Sequence, residues 1–179
     1  MVLLGFIGGP QIAALLVLCQ RGLEELYSTR NTKALLAKGA SEAGNIFYPV
    51  VAATHLAWIA ALAFLIPPDA PVIWPLIVYY LALQLVRYWV IANLGPYWTH
   101  RIITLPDAPV TQRGLYRSLS HPNYVATILE AFVLPLTFGA LALAIILTVL
   151  WWTVIATKMK FEDEALAERK RAQRSTATK

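Results

Sequence analysis

The sequence predicts an all-α integral membrane protein with five transmembrane helices, and three observations carry that expectation. Hydrophobic residues make up 58% of the chain and charged residues only 14%, against about a quarter charged in an ordinary soluble domain. Five apolar runs, at about residues 2–19, 46–66, 72–92, 122–138 and 139–157, suit the roughly 17 to 25 residues that a spanning helix needs. The cationic residues gather between alternate runs. Arg21, Arg30, Lys33 and Lys38 follow the first, Arg101, Arg113 and Arg117 the third, and Lys158 with those beyond it the fifth, whereas Pro67 to Pro71 and the turn near Gly139 carry none. By the positive-inside rule the amino terminus is outside and the carboxyl terminus cytoplasmic. The net charge of +5 is then chiefly a topology signal, with attraction to anionic membrane lipids a second use and no nucleic-acid partner implied.

The first run has no basic segment before it and no small-residue cleavage site, so it reads as a span and not as a cleaved signal. Its Gly8, Gly9 and Pro10 favour a kink or close packing against another helix. Cys19 is the single cysteine, which excludes an internal disulfide and a multi-cysteine metal site. Residues 21–45 read as a loop with a short interfacial helix near Leu35, Leu36 and Ala37. The second run opens with Tyr48 and Pro49 and holds His55 about two turns further on, so that Tyr48 and His55 share a face. A histidine inside a membrane either lines a substrate cavity or makes an interhelical hydrogen bond.

In the third run Gln84 and Arg87 lie on one face. Arg87 is close enough to the helix end to snorkel to the interface or to contact substrate. The connection over residues 93–120 is long for a compact domain, and its Tyr97, Trp98, Pro106, Pro109 and Gly114 suggest an ordered, functional segment. Pro122 suits the first turn of the fourth helix and places His121 at the N-cap. The free N–H groups there suit a carboxylate or another electron-rich ligand, the alternative being an ordinary helix start. Asn123, Thr127 and Glu130 follow on one face. A carboxylate at the depth of Glu130 needs a partner, with Arg87 and His55 the candidates, or else serves the substrate by binding it or removing a proton.

The fourth and fifth runs share only Pro135, Phe138 and Gly139 as a turn signal, which predicts a tight helical hairpin. The fifth helix ends its apolar part at Trp151 and Trp152 and continues through Lys158 to Leu166, where Glu162 reads as a solvated charge one turn from Lys158. Residues 1–166 make one domain, and 167–179 a basic, disordered tail. His55, His100 and His121 lack metal-ligand spacing, so no metal is implied. Gly5, Gly8 and Gly9 lie within a spanning run and open no strand-to-helix turn, which excludes a Rossmann nucleotide site there.

Gly114, Leu115 and Tyr116, then His121, Pro122, Asn123 and Tyr124, then Lys158, Lys160, Glu162, Asp163 and Leu166 after a helical hairpin, resemble in order and spacing the isoprenylcysteine carboxyl methyltransferase family of membrane enzymes. Arg30 with Lys33, Gly39 with Glu42, Tyr48 with Pro49, His55, and the stretch from Asn93 through Trp98 to Thr99 resemble more narrowly a bacterial branch that O-methylates long-chain alkylpyrones and alkylresorcinols. The resemblance covers about residues 30–166. It implies an S-adenosylmethionine-dependent O-methyltransferase of the bacterial inner membrane with its active site facing the cytoplasm, releasing S-adenosylhomocysteine. Gly114, Leu115, Tyr116, His121, Pro122, Asn123 and Tyr124 would shape the cofactor pocket, and Glu162 would hold the cofactor's amino group. A lipophilic acceptor would enter from the bilayer against Tyr48, Arg87, Trp98 and Thr127, with Glu130 or His55 as base. Ser120 and Lys158 stand where the family usually has arginines. Methyl esterification of a prenylcysteine carboxylate, N-methylation of a lipid amine, and a non-catalytic subunit or small transporter remain the other readings, and the oligomeric state is open.

Overall fold

The computed structural model describes residues 7–105 and 121–177, side chains included as far as Ala165. Helix α1 spans Gly9–Leu36, α2 Phe47–Leu65, α3 Trp74–Leu94, α4 Pro122–Leu136 and α5 Leu141–Ala177. Two short strands, β1 (Ser41–Ala43) and β2 (Ile102–Thr104), pair antiparallel with Glu42 opposite Ile103. Helix α1 packs on α2, α4 lies against α3 and α5, and the two strands rest against α5.

The helices are held by apolar side chains at the bundle centre, among them Val17, Trp58, Leu62, Leu83, Leu134 and Leu147. The surface they turn outward is also apolar, with Leu16, Phe64, Leu85 and Ile146 each more than 60% exposed. An apolar inside and an apolar outside together mark a bundle solvated by lipid. Among the described residues three helical stretches, Phe47–Leu65, Trp74–Tyr97 and Leu141–Ala165, are long and apolar enough to cross a membrane. Helix α4, at 15 residues, has a length of about 22 Å, short of the roughly 30 Å hydrocarbon core. The five expected runs are thus five helices, of which three meet the length and hydropathy of a span.

One expectation is corrected outright. Residues 21–36 are not a loop; α1 continues through them to Leu36. The reason is a seam of buried residues at alternating spacings of four and three, Pro10, Ala14, Val17, Arg21, Glu24, Ser28, Asn31 and Leu35. Such spacing keeps one helix face toward its neighbours whatever the chemistry of the side chains. Apolar at its start, the seam becomes polar from Arg21 and finds its partners inside the protein. Helix α5 runs on to Ala177.

Those partners form a buried cluster of four charges. Arg87 makes a two-pronged contact to Glu24, Nε to Oε1 at 2.8 Å and Nη2 to Oε2 at 2.6 Å. Arg21 donates to Glu24 at 2.7 Å and also to Glu130. Arg87 Nη1 reaches the Thr127 hydroxyl at 3.0 Å and lies 3.9 Å from Glu130. All four charged side chains are at most 7% exposed. Arg87 therefore does not snorkel. Beside the cluster Gln20 bridges Glu24 and Gln84, with bonds of 3.0 and 2.8 Å.

At the opposite end α1 begins beside the α2–α3 turn. Gln11 donates to the carbonyls of Ala63 and Ile66, and Gly8 lies so near the Pro68 carbonyl that a Cβ there would overlap it. The α4–α5 hairpin turns on Gly139 at φ 72°, a conformation that glycine adopts without a Cβ penalty.

Because an ion pair buried away from water cannot lose one partner cheaply, Arg87→Ala should destabilise the protein by about 3–5 kcal/mol. The loss should appear as a lower midpoint of thermal unfolding in detergent. Glu24→Ala with Arg87→Ala should cost clearly less than the two single changes summed, since no charge is then left alone.

Candidate functional site

The end of the bundle where α4 begins holds a cavity of about 200 Å³. Three segments build it. Residues 94–104, which leave α3 and lead into β2, form one wall; His121, Asn123 and Tyr124 at the start of α4 form the second; and Lys158 and Glu162 of α5 form the third. The first wall is pinned by the polar part of the α1 seam. Asn31 donates to the carbonyls of Gly95 and Trp98 at 3.1 and 2.8 Å, and Ser28 accepts from the His100 N–H at 2.8 Å.

Within the cavity the Tyr124 hydroxyl donates to Glu162 at 2.6 Å. The His121 ring stacks on Tyr124 with centroids 5.3 Å apart, 3.9 Å from Glu162 and 3.4 Å from Asp163 at its two nitrogens. Lys158 donates to the His100 carbonyl at 2.7 Å and lies 5.3 Å from the Tyr124 ring centroid. Glu162 is thus part of a walled site and not simply a solvated charge. Asn123 Oδ1 is buried without a hydrogen-bond partner among the described residues. Among the described residues no side chain caps the first turn of α4.

A second cavity, of about 220 Å³, opens between α1 and α2. Leu18, Gly22, Val51, Ala52, Leu56 and Ile59 form its apolar length; Arg21, Glu25, Tyr48, His55 and His100 form its polar end. Glu25 there accepts from Tyr48 at 2.7 Å, Thr29 at 2.9 Å and His100 Nδ1 at 2.8 Å. The His55 ring meets the Trp151 ring edge-on, and its Nδ1 contacts the Val51 carbonyl at 3.1 Å. His100 lines both cavities.

The expected site residues therefore fall into three places. His121, Asn123, Tyr124 and Glu162 meet at the first cavity, with Pro122 starting α4 behind them and Trp98 across from them. Tyr48 and His55 share the second cavity, as their spacing predicts. Arg87, Thr127 and Glu130 belong to the buried charge cluster, where the main partner of Glu130 is Arg21, a residue placed in a loop on sequence grounds. Gly114, Leu115 and Tyr116 lie outside the described residues. Sequence reasoning passed over His100 and Glu25, since neither stands at any motif spacing and they meet only because residues 75 apart fold together.

Fold and site together define a helical membrane protein with an acidic and aromatic ligand pocket at one end of its bundle. The model of the isoprenylcysteine carboxyl methyltransferase (ICMT) family matches residues 76–168, and the chain belongs to that family. YpbQ, an uncharacterized protein of Bacillus subtilis, is 30% identical over 161 residues, covering 88% of this chain and 95% of that one. An uncharacterized protein of Haemophilus influenzae is 25% identical over 150 residues, 78% of this chain and 84% of its own. No solved structure matches the chain. Membership carries membrane residence and methyltransferase activity with it. The matched region contains the first cavity and most of α3 to α5, and leaves α1 and α2 outside.

Burial holds the His100 imidazole below the ordinary histidine range, with the bond to Glu25 opposing it. An imidazole kept neutral by folding takes up a proton more readily when unfolded. Stability should therefore fall as pH drops below the ordinary value of about 6.5 toward the lowered one, by at most about 1.4 kcal/mol per pH unit from this group. Thermal unfolding across that range should show a shallower acid decline for His100→Gln than for the wild type.

Proposed function

We propose that the protein is an S-adenosylmethionine-dependent O-methyltransferase acting on a lipophilic acceptor, a long-chain alkylpyrone or alkylresorcinol hydroxyl, at the cytoplasmic face of a bacterial inner membrane. The observation that carries this is the convergence of His121, Tyr124 and Glu162 from two helices on one cavity. The donor set suits the cofactor. Glu162 and Asp163 are placed for an ammonium group; the open start of α4, with Lys158 nearby, is placed for a carboxylate. The Asn123 carbonyl oxygen, without a partner among the described residues, suits an N–H donor, which an amino group supplies. The stacked rings of His121 and Tyr124 offer aromatic faces that favour a cation or a flat base.

When bound, the cofactor supplies a methyl group made electrophilic by its sulfonium. What the chain contributes is position and exclusion of water. A displacement needs the acceptor oxygen close and in line, and holding it there supplies much of the rate. The polar end of the α1–α2 cavity adjoins the first cavity through His100, so an acceptor lying in the lipid-facing groove can present its oxygen there. Glu130, held in the charge cluster, serves this arrangement by fixing α4 against α1 and α3, while His55 remains with the groove. Arg101 and Lys158, which follow the third and fifth apolar runs, line the first cavity, in keeping with a cytoplasmic active site.

Calorimetric titration of the detergent-purified protein with S-adenosylhomocysteine tests the cofactor site. The wild type should bind at micromolar concentration. Glu162→Ala and His121→Ala should each weaken binding about tenfold or more, the scale of one charge-assisted hydrogen bond. No binding by folded wild type would favour a non-catalytic subunit or a transporter.

A further inference from the structure

We propose that the α1–α2 groove takes an uncharged single-chain lipid with a ring hydroxyl, and that Nε2 of His100 is the atom that receives the hydroxyl proton. The proposal rests on the methyltransferase reading and adds the base and the reason that the groove prefers a hydroxyl to a carboxylate head group.

The shape comes first. Gly22 faces open space, with nothing within 4 Å of where a Cβ would be. The missing side chain leaves room along α1 between Leu18 and the α2 residues Val51, Leu56 and Ile59. Leu18 and Leu56 are 45% and 60% exposed, so the groove opens sideways toward lipid and suits one alkyl chain.

The charge at its inner end selects the head group. Arg21, the arginine lining the groove, has its two terminal nitrogens on Glu24 and Glu130, its Nε alone being without a partner among the described residues. Glu25 is the carboxylate left facing the cavity, and its neighbours Tyr48, Thr29 and His100 donate to it. The two arginines and two glutamates of the cluster balance one another, so a carboxylate head group would meet the charge of Glu25 with no whole arginine left to offset it. A hydroxyl brings a donor to a place supplied with acceptors.

His100 provides the acceptor of the proton. Its Nδ1 lies 2.8 Å from Glu25, so the carboxylate fixes the ring hydrogen on Nδ1 and leaves the lone pair on Nε2. Nε2 is buried and has no hydrogen-bond partner among the described residues, a costly state that a ligand hydroxyl would relieve. The same ring stands in the walls of both cavities. The acceptor hydroxyl gives its proton to Nε2 as an oxygen lone pair forms the new O–C bond. The pair from the broken C–S bond stays on sulfur, turning a sulfonium into a neutral thioether. Glu25 at Nδ1 and Glu24, 4.0 Å from Nε2, stabilise the imidazolium that results.

The test combines binding and turnover in the full chain in detergent, using a long-chain alkylresorcinol and a fatty acid of equal chain length. With S-adenosylhomocysteine bound, wild type should bind the resorcinol at least tenfold more tightly than the fatty acid. Gly22→Leu, whose Cβ would meet nothing within 4 Å, should lose resorcinol affinity at least tenfold with cofactor affinity unchanged. His100→Gln, whose amide oxygen can still accept from the hydroxyl but cannot take its proton, should lose far more in turnover than in resorcinol affinity, with methyl transfer down about a hundredfold, the low end for a general base. Resorcinol binding by Gly22→Leu equal to wild type, equal binding of the fatty acid, or wild-type turnover by His100→Gln would each overturn the proposal. Failure of wild type to bind S-adenosylhomocysteine would instead overturn the reading beneath it.

Discussion

The two-pronged contact between Arg87 and Glu24 is the interaction on which the rest of the structure depends. In a bundle with lipid outside and apolar side chains within, a lone charge at this position would be prohibitive. Arg87 of α3 and Glu24 of α1 cancel one another, and Arg21 with Glu130 closes the set by adding α4. Apolar contacts can slide along a helix with little penalty, whereas a planar guanidinium against a carboxylate sets both rotation and height. Three helices are thereby fixed in register.

From that fixed register the site follows by geometry. One turn beyond the cluster, Ser28 and Asn31 of α1 hold the chain leaving α3, and that chain carries Trp98 and His100 to the cavity at the start of α4. The start of α4 arrives from the other side with His121 and Tyr124, and α5 brings Lys158 and Glu162. The β1–β2 pair braces the edge, where Arg101 binds Glu42 and covers the Tyr48 ring. The pocket is therefore made by ends of elements, while the seam and the charge cluster supply their rigidity.

How much of this could be read from residues alone depended on the polarity of the element. Helices α2, α3 and α4 lie within two residues of their expected limits, because a long apolar run between prolines and glycines has few other structures open to it. Helix α1 was legible only to Cys19. Its polar residues beyond that point look solvated, and only the spacing 21, 24, 28, 31 and 35 carries the signal that they face inward. Glu162 was a surface charge by local pattern and a pocket residue only through family resemblance. The partnership of Glu130 with Arg21 spans 109 positions, and that of His100 with Glu25 spans 75. No local rule connects residues so far apart.

The separation of Arg21 from Glu130 has a bearing on biogenesis. At roughly 5 to 20 residues per second of synthesis, α1 is complete several seconds before Glu130 leaves the ribosome. The first two helices enter the membrane with Arg21 beside Glu24 of its own helix, and when α3 arrives Arg87 draws on the same carboxylate. The set then holds one positive charge in excess, and closure waits for the fourth helix.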